Sequence, residues 1–243
     1  MIRARLRLGW VLVTLTAGAC VAPGSSLPPW VSLPRRGAIA VLPLAPAPSG
    51  TLEPPTAWRG EIETTIVECL SQRGPVIPPS AIRSISGRMR REVAATQQID
   101  ASSLGRSTLA TIEEYALREL LADEPAVSIL VQARWVRSQA PIVSQLARWH
   151  DAERPVLGAP VGFWQRLVSA PTRARSVRAL SLEISAQPRR GPPFDPRRKG
   201  IALLERLDST FRVEQLALPA ESLHEPQLVL AVREALGPLC EGR

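Results

Sequence analysis

Histidine is a common residue in acid–base and metal chemistry, and this chain of 243 residues has only two, His150 and His224. Neither lies in an HxH or HExxH spacing, so the sequence predicts no metal site. Asp151 follows His150, but adjacent residues in a loop seldom orient one another as a catalytic pair must. GxSxG, CxxC and phosphate-binding glycine motifs are also missing from the sequence. We therefore predict a protein that is not an enzyme, with no catalytic residues and no cofactor.

The clearest chemical signal is Cys20, which follows the small residues Ala-Gly-Ala at 17–19. Before them lie three arginines and a short apolar run within residues 3–15. This order of basic, apolar and small residues is typical of an export signal. The apolar run is about half of the roughly 20 residues that a membrane-spanning helix needs, so an uncleaved anchor is the weaker interpretation. Ordinary secretion with cleavage is a further alternative.

The segment that ends at Cys20 resembles the bacterial lipoprotein signal, in which the cysteine receives diacylglycerol and becomes the first mature residue. One departure is Ala17, which stands where that family prefers leucine. Val21 stands where an aspartate would indicate retention in the inner membrane. The resemblance therefore implies a protein anchored by fatty acids such as palmitate on the periplasmic face of the outer membrane. Residues 1–19 are then the signal peptide. The proline-rich residues 20–36 are the lipidated cysteine and a flexible tether.

Two further cysteines, Cys69 and Cys240, lie on the predicted first and last helices. In an oxidising periplasm such a pair can form a disulfide. The alternative is two buried thiols that behave as small apolar side chains.

The net charge of +8 includes three signal-peptide arginines, which leaves about +5 on the mature chain, and Lys199 is the only lysine. A GC-rich genome would produce this arginine bias without any functional cause. A basic surface could also contact anionic lipid or cell-wall polymer. Nucleic acid is not an expected partner of an exported protein. The arginines of the second predicted helix, at 83, 88, 90 and 91, are interpreted as a solvated face, with a partner or lipid contact as the alternative.

The periodicity of apolar residues predicts an α/β (α+β) domain with a mixed sheet of about five strands packed with helices. A buried strand at 37–44 is followed by a helix at 58–73, a short strand at 76–79, and a helix for which Ser80 is the expected N-cap. A third helix at 107–121 precedes a strand at 126–136, which we expect to pair antiparallel with a strand at 177–186. Residues 200–218 are ambiguous between a helix and a bent strand, with strand favoured from 211. Pro226 begins the last helix, whose predicted buried stripe is Leu228, Val232, Leu236 and Leu239.

Residues 37–137 form the first part of this domain, 177–243 form its remainder, and 138–176 are an insertion rich in aromatic residues and arginine. The expected partner or membrane contacts in the insertion are Arg148, Trp149, Phe163, Trp164 and Arg166. The alternative is a loop whose aromatic residues pack on the edge of the domain.

Four segments of the chain resemble a recurring group of envelope lipoproteins: IAVLPL at 39–44, LSQRG at 70–74, VIPP at 76–79, and ADEPAVSILVQARW at 122–135. The group includes the curli-export lipoproteins, the N-terminal domain of TolB and the lipoprotein activators of peptidoglycan synthases. The resemblance covers about half of the mature chain. It implies a periplasmic domain that docks other envelope proteins or assembles into a homo- or hetero-oligomeric complex, without chemistry of its own.

The favoured function is therefore a scaffold or accessory subunit of an envelope assembly for secretion, surface structures or cell-wall synthesis, which binds the membrane through its lipid. An auxiliary lipoprotein of an ABC-type lipid-transport system is the alternative, and an apolar tunnel would favour it. An envelope hydrolase would need polar side chains that converge in a cleft.

Overall fold

The computed structural model describes residues 37–46, 56–143, 145–156, 176–208, 212–216 and 225–240. The signal segment with Cys20, the tether, and the predicted contacts Phe163, Trp164 and Arg166 lie outside these residues. The strands are β1 (Ala38–Val41), β2 (Val76–Ile77), β3 (Val127–Val143), β4 (Leu146–Trp149), β5 (Ala152–Pro155), β6 (Ser176–Pro188), β7 (Arg197–Leu203), β8 (Glu205–Leu207) and β9 (Val213–Gln215). The helices are α1 (Thr56–Ser71), α2 (Pro79–Gln97), α3 (Arg106–Asp123) and α4 (Glu225–Leu236), and 3-10 turns cover Ala101–Ser103 and Gly237–Cys240.

Seven of the strands form one mixed sheet, which confirms the predicted fold class. β1 lies between β2 and β3 and is parallel to both. β6 pairs antiparallel with β3, as predicted, from Ile129 opposite Pro188 to Pro141 opposite Ser176, and β7 pairs antiparallel with β6. The far end of β3 pairs with β4, and β4 pairs with β5. β8 and β9 form a separate pair.

The main core lies between one face of the sheet and the helices α1 and α4. Because β3 and β6 alternate, Leu180, Leu182 and Ile184 all enter this core and are fully buried. Trp58 of α1 packs against Trp135 of β3 with ring centroids 6.2 Å apart. The predicted stripe of the last helical segment is confirmed, since all four of its side chains are buried: Leu228, Val232, Leu236 and Leu239.

On the opposite face, α2 and α3 cover the part of the sheet around β1 and the start of β3. The arginines of α2 are not simply solvated, because three of them form ion pairs with neighbouring helices. Arg83 binds Glu63 of α1 at 2.6 Å, while Arg88 and Arg90 bind Glu119 and Glu113 of α3. The helix begins at Pro79 rather than after Ser80, because proline is well suited to the first helical position, where its missing N–H is not needed.

The predicted insertion begins as regular structure. β3 continues to Val143, well past the predicted end at 136, and the hairpin β4–β5 follows, which is why the sheet has more than the five strands expected. The ambiguous residues around 200 are also strand, because β7 completes a ladder on β6. Within the described residues, no helix is both long enough and apolar enough to cross a bilayer.

A second core, on the face opposite α1 and α4, fixes the hairpin to the sheet. It consists of Ala140, Ala147, Trp149, Val156, Val177, Ala179, Leu203 and Leu207. Cys69 of α1 and Cys240 after α4 form a disulfide that joins positions 171 residues apart. The turn after α4 is therefore joined covalently to the first helix.

Candidate functional site

Trp149 occupies the second core and is only 6% exposed, so its assignment as a partner or membrane contact is wrong. It packs inward because β4 alternates, which leaves its neighbour Arg148 on the exposed side, where Arg148 binds Glu153 at 2.7 Å. The indole Nε1 donates to the backbone carbonyl of Leu180 at 3.4 Å, so the buried polar atom is satisfied.

Gly200 of β7 makes room for this tryptophan. A Cβ at position 200 would lie 2.5 Å from the Cβ of Ala152 and 2.7 Å from Nε1 of Trp149. The backbone N–H of Gly200 also donates to the carbonyl of His150 at 3.0 Å. The hairpin therefore depends on a bare backbone at this point of β7.

We expect Gly200→Ala to lower the free energy of unfolding by about 1–3 kcal/mol, because the added methyl group must displace Trp149 or Ala152. Gly60→Ala is the matched control, since the same methyl group on exposed Gly60 of α1 meets nothing within 4 Å. Removal of a helical glycine should stabilise the protein by about 0.5–1 kcal/mol. Denaturant unfolding measures both, and equal midpoints for the two variants would contradict the packing described here.

His150 and Asp151 form the two-residue turn between β4 and β5, where Trp149 pairs with Ala152. Their φ angles are +41° and +58°. Positive φ at both positions is the requirement of a type I′ hairpin turn, which normally selects Asn-Gly. Both residues therefore adopt a backbone conformation that costs free energy in a residue other than glycine. Such positions cluster at functional sites.

The turn brings the imidazole of His150 to the polar face of β6. Its Nδ1 lies 2.9 Å from Oγ of Ser181, and Oγ of Ser138 lies 2.9 Å from the same Ser181 oxygen. We call these three residues the serine–histidine cluster. The partner of His150 is thus Ser181 and not the adjacent Asp151. Ser181 is fully buried, so its hydroxyl cannot reach a substrate from solvent in this conformation.

Burial, and after it the positive charge of Arg198, lowers the pKa of His150 from its ordinary value, while the negative charges of Asp151 and Glu183 act in the other direction. The neutral imidazole is therefore the form that the folded protein favours.

This lowered pKa predicts a pH dependence of stability. The unfolded chain binds a proton at His150 near pH 6.5, and the folded chain binds it only at lower pH. The free energy of unfolding should therefore fall as the pH drops below about 6.5, until the folded protein is protonated too. The loss should stay below about 1 kcal/mol, because the side chain is only half-buried and solvent screens it.

Denaturant unfolding at a series of pH values measures this pH dependence of the free energy of unfolding. His150→Gln should remove the part that comes from His150, and His224→Gln is the matched control. If His150→Gln leaves the slope between pH 5 and about 6.5 unchanged, His150 is not its source.

Next to the cluster, three charged side chains lie directly opposite one another on three adjacent strands. Arg134 of β3 pairs in register with Glu183 of β6, which pairs in register with Arg198 of β7. We call these three residues the arginine row. Nε and one terminal nitrogen of Arg134 contact Oε1 of Glu183 at 2.5 Å, and Nε of Arg198 donates to Oε2 at 2.6 Å. The side chain of Glu183 is 1% exposed, whereas those of the arginines are 57% and 44% exposed.

A cleft of about 360 Å³ lies on the other side of the turn, between β5, β7 and α4. Lys199 crosses it to bind Glu234 of α4 at 2.6 Å. The described residues contain no group of three or more His, Cys, Asp or Glu side chains that could hold a metal ion.

Compared with known proteins, the sequence matches no family model, and no curated protein or solved structure is significantly similar to it.

Proposed function

We propose that the chain is a lipid-anchored protein of the bacterial envelope, held through Cys20 on the periplasmic face of the outer membrane. Its folded domain then acts as a non-enzymatic scaffold or accessory subunit of a secretion, surface-structure or cell-wall assembly. The observation that carries the location is the disulfide between Cys69 and Cys240. Disulfides persist in oxidising compartments such as the periplasm and are rare in the cytosol, so the bond supports export.

The polar side chains support binding over turnover. The serine nearest to the histidine is buried, and the neighbouring carboxylate, Glu183, is occupied by two arginines. A hydrolase needs an accessible nucleophile in hydrogen-bond contact with its base. Ser181 is fully buried, and the half-buried Ser138 lies farther from Nδ1 of His150, at 3.4 Å, with its hydroxyl bonded to Ser181. The charged groups that do reach solvent here are the guanidinium groups of Arg134 and Arg198, which suit recognition of a partner.

The lipid-transport alternative would be favoured by an apolar tunnel. The cleft beside β7 is open to solvent and mixes charged side chains, such as Lys199 and Glu234, with apolar ones, such as Ile201, Leu230 and Ala231. It is not a continuous apolar tunnel, so it gives the lipid-transport alternative no support.

The anchor makes a direct prediction for localisation. Cys20→Ser should abolish incorporation of a palmitate analogue and release the protein from the outer-membrane fraction, because no acyl chains remain to hold it. Val21→Asp is the matched control: it keeps Cys20 and the label, but by resemblance to lipoprotein sorting it should move the protein to the inner membrane. Cys20→Ser protein that still fractionates with the outer membrane would contradict the lipid assignment.

Purification from detergent extracts under mild crosslinking tests the scaffold itself. We expect a discrete complex with other envelope proteins, or a homo-oligomer, that is recovered again when the partner carries the tag. A protein recovered alone as a monomer from both extracts and crosslinked cells would contradict the scaffold function.

A further inference from the structure

Three glutamates with buried side chains pair with arginine in the described part of the chain, and they are not equivalent. Glu63 accepts the backbone N–H of Leu44 at 2.8 Å, and Glu205 accepts the backbone N–H of Arg178 at 2.8 Å. Both carboxylates therefore satisfy the main chain, which explains their burial. Both oxygens of Glu183 instead contact guanidinium groups, those of Arg134 and Arg198.

A buried ion pair is weak as a source of stability, because the cost of desolvation offsets much of the attraction. Apolar residues in place of all three side chains would build this part of the sheet at least as well. What the carboxylate does achieve is orientation: it holds two arginines from different strands in fixed positions on one face of the sheet. Arginines that are ordered in advance lose less freedom when they bind a ligand.

The two arginines of the row have N–H donors that do not contact Glu183. Two guanidinium groups and one carboxylate leave a net charge of about +1 on the row. Each guanidinium has five N–H donors in a planar fork that matches carboxylate and phosphate oxygens. The contacts with Glu183 use two nitrogens of Arg134 and one of Arg198, and both side chains reach solvent.

We propose that Arg134 and Arg198 form a binding site for an oxyanion, the carboxylate or phosphate group of a ligand, with Glu183 as the residue that positions them. The site does not depend on the lipid anchor or on the scaffold function, and it can exist in a protein that has neither.

His150 reports on this site. Among the described residues, the charges that act on it are those of Arg198 on β7, Glu183 on β6 and Asp151 in its own turn, and Arg134 on β3 binds the same carboxylate of Glu183. An anion beside Arg198 offsets the positive charge that opposes protonation, so a bound anion raises the pKa of His150. By reciprocity, protonation of His150 tightens anion binding, and affinity increases as the pH falls.

The test is an NMR titration of the full chain in detergent, with inorganic phosphate or acetate at constant ionic strength. The chain has two histidines, so the imidazole signals are assigned with His224→Gln. We expect saturable shifts of the His150 signal and a raised His150 pKa at saturation. Tighter binding at pH 5.5 than at pH 7.5 is measured with sulfate, whose charge stays constant over this range, because phosphate itself gains a proton there. Arg198→Gln should weaken phosphate binding about tenfold, since it removes a charge-assisted contact.

Two further variants separate a built site from general charge. Arg118→Gln removes the same charge from an exposed position on α3 and should leave binding unchanged. Arg198→Lys keeps the charge and loses the fork, so its affinity should lie between those of the other two variants. Equal loss in Arg198→Gln and Arg118→Gln, or no saturable change at His150, would overturn the proposal.

Two arms distinguish the source of the oxyanion. Vesicles of phosphatidylglycerol, compared with phosphatidylcholine, test a lipid phosphate, and a short glutamate-rich peptide, compared with its glutamine counterpart, tests a protein carboxylate. The arm in which binding depends on Arg198 identifies the source. Binding that is independent of Arg198 in both arms would argue against the site.

Discussion

Loss of the disulfide should lower the free energy of unfolding by about 3–5 kcal/mol, one of the two largest effects we expect in this protein. The bond between Cys69 and Cys240 joins positions 171 residues apart. Cutting such a long loop restores much conformational freedom to the unfolded chain. The folded state suffers as well, because the turn that carries Cys240 also places Leu239, which is fully buried in the main core. For a domain of this size the melting temperature should fall by about 10 °C.

The variant to measure is Cys69→Ala/Cys240→Ala, since alanine avoids a new hydroxyl at the buried position 69. The matched control is the unaltered protein with and without reductant. The reduced protein should come close to the stability of the double variant, and the oxidised protein should exceed both. If reduction leaves the unfolding midpoint unchanged, the bond does not contribute to stability.

The helices and strands that position the site could be predicted from the sequence wherever the apolar residues follow one clear period, either helical spacing or strand alternation. The helix around Ile62, Ile66 and Leu70 and the final stripe from Leu228 follow from helical spacing alone. The antiparallel pairing of β3 with β6 follows from two alternating strands, and it places Glu183 near Arg134 once the register is known. The register was not predictable, because it depends on where β3 ends, and β3 continues through 137–143 where the side chains are mostly polar or exposed.

The hairpin turn escaped prediction for a local reason. Asn-Gly and Asp-Gly are the usual signals of a two-residue turn with positive φ, and His150 with Asp151 is neither. Without that turn, Trp149 looks like a loop aromatic and His150 like an isolated histidine. Prediction of the arginine row would have required the registers of both strand pairs, because its members lie on three strands and far apart in sequence. The polar residues Ser181, Glu183 and Ser185 on alternate positions of β6 were the one available signal that this face is not an ordinary apolar face.

The arginine row makes a second strong prediction. Removal of the two arginines should lower the free energy of unfolding much more than removal of the carboxylate between them. Arg134→Gln/Arg198→Gln leaves the 1% exposed carboxylate of Glu183 without its two ion pairs, which should cost about 3–5 kcal/mol. Glu183→Gln leaves two guanidinium groups that already reach solvent, and the neutral amide can still accept hydrogen bonds. Its cost should be about 1 kcal/mol.

The sharpest form of this test adds a third substitution. In the Arg134→Gln/Glu183→Gln/Arg198→Gln protein no charge is buried at this position, so it should be more stable than the double arginine variant by about 2 kcal/mol, although it carries one more change. Denaturant unfolding at pH 7 measures all four proteins, and Arg118→Gln on α3 controls for the loss of an exposed arginine. Strictly additive effects would show that the three side chains are not coupled, and Glu183 would then not be the residue that holds the two arginines in place.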